Sequence, residues 1–350
     1  MTIPLSALEL APTEDGGTTA AALDAAVQTV RRLDELGYRR AWFAEHHGSA
    51  FFASVVPSIL IAHLAAQTGR IRLGSGGVLI PNHAPIAIAE QFATLAALHP
   101  GRIDLGMGRG AGARDDTHAR ALRRGADPAT DADYRSDLAA LLAYLSGESG
   151  TTLIAGRPSD TDRPSHDGQP SDHDRPPRTG PAPWLLATSP ASAELAARLG
   201  LPVVLGHQIR PDNTVASARR YRELFTPSRF SDRPYIMVAL EAIVADTDEE
   251  AARLARPIDM AKIGLFSGEP DAPLPTPAQA ESFQVPPELA GPIAGHTGAQ
   301  SRGSVATVTR QFAEIIAQTS ADELMLTTAV YDPADRIRSF ELAAKAAAQL

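Results

Sequence analysis

The chain has 350 residues, 44% of them hydrophobic, with a formal net charge of −9 and no cysteine. That composition excludes disulfides, thiolate metal sites, iron–sulfur clusters and a cysteine nucleophile. The acidic balance argues against nucleic acid or an anionic lipid surface as the main partner.

Strand and helix patterns alternate along the chain. Pro4 to Leu8 reads as a first strand. Thr18 to Leu36 reads as a helix, with Ala22, Ala25, Ala26, Val30, Leu33 and Leu36 near one face and Gly37 at its stop. A strand from Arg40 to Ala44, a helix from Pro57 to Thr68, a glycine-interrupted strand from Ile71 to Ile80, a helix from Pro85 to Leu98 and a strand from Ile103 to Gly106 follow. The second half gives strands at Trp184 to Ala187, Val203 to Leu205, Tyr235 to Val244 and Glu323 to Thr328. Helices are predicted at Pro190 to Leu199, Val215 to Phe225, Thr247 to Arg256, Val305 to Gln318 and Arg336 to Gln349. This order implies parallel strands joined by right-handed crossovers. The expected fold is α/β, a (β/α)8 TIM barrel with insertion loops, formed as one domain over residues 1–350.

Two segments interrupt the pattern. Ala155 to Pro183 is rich in Pro, Asp, Ser, Arg and His and buries too little to offset the entropy of ordering, so a disordered loop is expected there. His166 and His173 within it are read as part of a solvated low-complexity stretch, not as metal ligands. Ser267 to Ile293 is read as an irregular, proline-rich insertion. No apolar run reaches the roughly 18 to 20 residues of a membrane span. Met1 to Leu10 lacks the basic and apolar regions of a signal peptide, so a cytoplasmic location is expected.

Four constellations carry chemistry. Ala44-Glu45-His46-His47-Gly48 follows the second strand, and barrel active sites sit at the C-terminal strand ends. Neighbouring residues leaving a strand point in different directions, so at most one histidine faces the centre; a polar loop is the alternative. Gly74-Ser75-Gly76-Gly77 interrupts a strand. It fits either a flat ligand lying against the backbone or a barrel-corner kink. Gly106-Met107-Gly108-Arg109-Gly110 loosely matches a dinucleotide fingerprint, but it follows the fourth strand and precedes charged residues. Arg109 between glycines suits an anion instead. Thr188-Ser189-Pro190-Ala191-Ser192 reads as a capped helix start, able to bind phosphate through free amides and hydroxyls or to serve as an ordinary cap.

Taken with Pro81-Asn82-His83-Ala84-Pro85, Ala89-Glu90-Gln91-Phe92, Pro100-Gly101-Arg102-Ile103-Asp104, Tyr221-Arg222-Glu223 and Ala321-Asp322-Glu323-Leu324-Met325, these motifs stand in a telling order. The chain resembles the bacterial luciferase-like, FMN-dependent monooxygenases. The resemblance implies an FMN site with His46 at the reacting flavin edge and Gly76-Gly77 as a non-proline cis peptide against the ring. It also implies a phosphate held by Arg109, Thr188, Ser189 and Ser192. Reduced FMN, supplied by a separate reductase, would react with dioxygen to a flavin hydroperoxide that oxygenates a small organic substrate. A homodimer is expected. Gly108 stands where luciferase has a cysteine, which speaks against light emission. Ala187-Thr188 replaces the Gly-Ser of many relatives, and Gly206-His207-Gln208-Ile209 departs from a more usual His-Phe pattern. The alternatives are hydride transfer with a deazaflavin, or a flavin-binding barrel without turnover.

Overall fold

The computed structural model describes residues 3–110, 112–113, 115–147, 180–267 and 271–350. Nine strands form one parallel sheet: β1 (Leu5–Glu9), β2 (Arg40–Phe43), β3 (Arg72–Leu79), β4 (Ile103–Gly108), β5 (Ala182–Ala187), β6 (Val203–Gly206), β7 (Ile236–Ala245), β8 (Ser301–Ser304) and β9 (Glu323–Thr327). β1 to β7 pair in chain order, β7 pairs with β9, and β9 pairs with β1. The ring therefore closes through eight strands, as the expected (β/α)8 barrel requires. β8 lies outside it, paired with Ala242–Ala245 at the far end of β7.

Among the described residues twelve α-helices surround the sheet. The helices α1 (Thr19–Glu35), α2 (Pro57–Ala65), α3 (Pro85–Leu98), α6 (Pro190–Arg198), α7 (Thr214–Leu224), α11 (Val305–Thr319) and α12 (Pro333–Ala347) stand where their apolar periodicity places them. Four more escaped the sequence reading. α4 (Asp116–Leu122) and α5 (Asp131–Ser146) follow β4. α9 (Pro277–Ser282) and α10 (Pro287–Gly298) occupy the stretch expected to be irregular, which is a correction. Proline misled there: Pro277 and Pro287 sit at first-turn positions, where the missing N–H costs nothing. α8 (Asp248–Phe266) also runs past Pro257, ten residues beyond the expected stop at Arg256. The expected loop from Ala155 to Pro183, with His166 and His173, lies outside the described residues up to position 179; Ala182 and Pro183 belong to β5.

The barrel interior has two layers. The upper one is apolar, built from Leu8, Trp42, Trp184, Val204, Met237 and Met325. Trp42 is fully buried and meets Trp184 edge-on at 5.5 Å between ring centroids. Glycines make its room. A Cβ at Gly74 would stand 2.6 Å from the Trp42 indole nitrogen, and one at Gly106 would stand 2.9 Å from its six-membered ring. The lower layer is charged. Arg40 donates to Glu323 at 2.8 Å and to Asp104 at 2.9 Å. Arg72 also holds Asp104, Trp42 donates to it at 3.0 Å, and Tyr235 donates to Glu323 at 2.7 Å. The Arg40 guanidinium lies 4.6 Å from the Trp184 ring centre.

Burial alone would raise the Asp104 carboxyl, but Arg72 and Arg40 bring it below the usual carboxylate range. A group whose folded value is depressed stabilises the fold above its unfolded value and loses that contribution as pH falls. Asp104→Asn should cost about 3 kcal/mol at neutral pH, because the buried Arg40 is left with Glu323 alone and the half-buried Arg72 loses its carboxylate. The gap from the wild type should narrow below about pH 4. Urea unfolding midpoints across a pH series check both statements.

Candidate active site

Two cavities open at the C-terminal rim of the barrel and share Leu10, His46, Phe52, Gln208 and Thr327. The inner one, about 240 Å³, rests on Trp42, Val204, Ala239 and Met325, with Gly76, Thr188 and Gly206 on its sides. The outer one, about 340 Å³, reaches from the loop after β2 to α8.

The loop after β2 separates its three polar side chains by function. Glu45 turns away from the cavities. It accepts from His47 and His83 at 2.8 Å and from the Leu79 amide at 3.1 Å. Burial would raise its carboxyl, but the hydrogen bonds from His47 and His83 reverse this and bring it down to about 2. Glu45 and His47 thus tie the end of β2 to the end of β3. His46 points to the shared space and stacks on Phe52, with ring centroids 4.2 Å apart. The expectation that one histidine of the pair faces the centre matches this division.

Burial, with some help from His47, pushes the His46 imidazole down to about 4. The ring is therefore neutral at working pH. An imidazole in water has a pKa near 6.5. Three buried polar atoms around the shared space have no hydrogen-bond partner: His46 Nδ1, Gln208 Oε1 and Thr327 Oγ1. Buried polar groups are normally paired, and these three converge on one opening. A ligand with polar edges and an apolar face suits them.

The peptide between Gly76 and Gly77 is cis. Both glycines are also required by the protein itself. A Cβ at Gly76 would meet Leu8 at 2.5 Å, and one at Gly77 would meet the Gly106 carbonyl oxygen at 2.8 Å. Gly76 lines the inner cavity, so its bare backbone faces both the barrel and the opening.

Ser189 caps α6, accepting from the Ser192 amide at 3.3 Å, and the two hydroxyls are 3.1 Å apart. Arg109 follows β4. Because Met107 lies opposite Leu185, Arg109 and Thr188 leave the same rim from adjacent strands. The Arg109 guanidinium pairs with Asp131 at 3.0 Å and stays more than half exposed. Among the described residues no hydrogen bond joins it to the start of α6. The structure thus brings His46, Gly76 and Thr188 to one cavity, sets Gly77, Ser189 and Ser192 next to them, and holds Arg109 on a carboxylate at the rim.

Gln208 and Thr327 were missed as site residues. Gln208 stood in a segment marked only for its departure from a common pattern. Thr327 ends the last barrel strand, and its position was the one available signal. His207 is buried and structural, bonded to Thr214 at 2.9 Å and to the Ala299 carbonyl at 2.7 Å.

A profile of the luciferase-like monooxygenase family matches residues 7–338. The chain belongs to the luciferase-like monooxygenase family. A luciferase-like monooxygenase of Escherichia coli K12 is 36% identical over 343 residues, covering 98% of this chain and 96% of that protein. The crystal structure of apo-MsnO8 superposes with a TM-score of 0.84 at 36% identity, over 98% of both chains. The oxygenating constituent of 3,6-diketocamphane monooxygenase from Pseudomonas putida, in complex with FMN, shares the fold with a TM-score of 0.67. It is 19% identical and covers 100% of this chain and 99% of that one. A luciferase-like monooxygenase of this architecture is an oxidoreductase. None of its described helices is long and apolar enough to cross a membrane.

The lowered imidazole gives a direct check. The His46 ring signals in a two-dimensional NMR titration should stay in the neutral form down to about pH 5, while an exposed histidine titrates near its usual value of about 6.5. A His46 midpoint above about 6 would show that burial does not govern this ring.

Proposed function

We propose that the protein is an FMN-dependent monooxygenase that uses dioxygen to oxygenate a small organic substrate. The observation that carries this reading is the set of unpartnered buried polar atoms, His46 Nδ1, Gln208 Oε1 and Thr327 Oγ1, above an apolar barrel floor and beside the bare backbone of Gly76. The isoalloxazine ring of a flavin is flat, apolar on its faces and polar along one edge. It would lie in the inner cavity against Gly76 and Gly77. The positive end of α6, with the hydroxyls of Thr188, Ser189 and Ser192, would take its phosphate. Arg109 would add a cation from the adjoining strand end, exchanging its exposed Asp131 contact for the phosphate.

Bound reduced FMN supplies two electrons to dioxygen. Two more come from the substrate, which gains one oxygen atom while the other leaves as water. The chain's own groups bind, orient and exclude water. The apolar floor keeps water from beneath the ring. His46, neutral and stacked on Phe52, would offer a hydrogen bond to the ligand at the junction of the two cavities. With its basicity lowered, it serves better as a hydrogen-bonding partner than as a strong general base. The substrate would enter the outer cavity. A separate reductase would deliver the reduced flavin, and the protein would act as a homodimer in the cytoplasm.

The first test is equilibrium binding of FMN and of a deazaflavin, oxidised and reduced. Tight binding of reduced FMN is expected; binding of the deazaflavin alone would overturn the reading. Arg109→Ala should weaken FMN by about 1.5–3 kcal/mol, the scale of a hydrogen bond to a charged group, and leave riboflavin nearly unchanged. Equal loss for both ligands would remove Arg109 from the phosphate site. His46→Ala should keep FMN binding within about tenfold and lose on the order of 10² in substrate oxygenation, measured by product formation. Unchanged turnover would exclude His46.

A further inference from the structure

We propose that the outer cavity selects uncharged, mainly apolar substrates, and that Glu241 is the residue that sets this preference. The inference rests on the flavin occupying the inner cavity. The outer cavity holds about 340 Å³, and Phe51, Phe52, Ile258, Met260 and Pro273 give it an apolar lining. Such a wall binds by removing apolar surface from water.

The charges in and behind this wall cancel. Lys262 of α8 lines the cavity, but Glu241 holds its ammonium at 2.7 Å. Behind it, Arg302 of β8 donates to the same Glu241 at 2.9 Å and to Asp259 at 2.9 Å. Two cations thus face two carboxylates. Glu241 is buried, yet Lys262 and Arg302 keep its carboxyl below the usual range, so it stays ionised. On the opposite lip Asp271 adds negative charge and accepts from the Ala50 amide at 2.5 Å. His46, uncharged, offers no cation. His47 also lines the cavity and is held by Glu45 at 2.8 Å, so a carboxylate, sulfonate or phosphate entering here would leave water and meet cations that already have a carboxylate partner, Lys262 on Glu241 and His47 on Glu45. Burying an unpaired charge is costly, whereas a neutral molecule meets no such penalty.

The test is equilibrium binding of 2-naphthol and 2-naphthoate to the full chain, with and without saturating FMN. The two probes share a ring system and differ in charge at neutral pH. 2-Naphthol should bind under both conditions, and 2-naphthoate at least about tenfold more weakly. Glu241→Gln leaves Lys262 uncompensated and should raise naphthoate affinity by about tenfold, with 2-naphthol held within about twofold. Ala261→Lys adds a cation to the same wall and leaves the Glu241 pairs intact. It should give the same gain, so the proposal stays testable if Glu241→Gln fails to fold. Equal affinity of the two probes for the wild-type chain overturns the proposal, as does a folded Ala261→Lys variant without naphthoate gain. Competition between 2-naphthol and FMN, or no binding of 2-naphthol, overturns the assignment of the outer cavity. Failure of FMN to bind is read in its own titration and counts against the flavin reading alone, since the probe comparison also runs on the free chain.

Discussion

The structure depends on how an indole and a guanidinium are fitted inside a closed ring of eight strands. Trp42 and Arg40 both project inward from β2, two residues apart, as a strand's alternation requires. Each sets conditions on its neighbours. Trp42 needs Gly74 on β3 and Gly106 on β4, because a side chain at either would collide with its rings. Arg40 needs Asp104 and Glu323, because a buried cation without partners is strongly unfavourable. Those demands reach β2, β3, β4 and β9 and connect strands far apart in the chain.

The floor of the candidate site follows from that packing. Trp42 is both a barrel core residue and the base of the inner cavity. Gly76, two residues beyond Gly74 on the same strand, leaves bare backbone on the β3 side of the opening. Stability and binding share the same residues here. The polar layer below is enclosed by charge pairs, whereas the opening above the apolar layer is edged by three polar atoms without a hydrogen-bond partner, His46 Nδ1, Gln208 Oε1 and Thr327 Oγ1. The contrast between satisfied groups at the bottom and unsatisfied ones at the mouth marks the end of the barrel that is built for a ligand.

The loop after β2 shows the same economy on a smaller scale. The buried Glu45, with the half-buried His47 and His83, forms a latch that fixes the loop, and His46 stacks on Phe52 over the cavity. Burial then lowers the basicity of His46, which moves its proposed role toward hydrogen bonding. The outer cavity adds a second balanced set in Glu241, Lys262, Arg302 and Asp259, drawn from β7, α8 and β8.

Much of this was legible in the sequence. Period-two and helical patterns placed the eight barrel strands and seven of the helices to within a few residues, because each element must bury one face. His46 and Thr188 drew notice just beyond strand ends and Gly76 as a glycine inside a strand, and one cavity is lined by all three. Local signals also existed for helices that were overlooked: Thr130 with Asp133, and Thr276 with Gln279, form capping boxes at α5 and α9. Other features had no local signal. The reason for Gly74 is a tryptophan on another strand, and the reason for Gly106 is the Ser75 carbonyl together with the same tryptophan. The neutrality of His46 comes from burial. The convergence of Gln208 and Thr327, and the cancellation of Lys262 by Glu241, join residues that are remote in the chain. Alternation and capping act over a few residues, so sequence alone determined the elements and their order. Packing, desolvation and charge compensation act through space, so only the tertiary structure decided which side chains meet, which stay unpaired and what the site can hold.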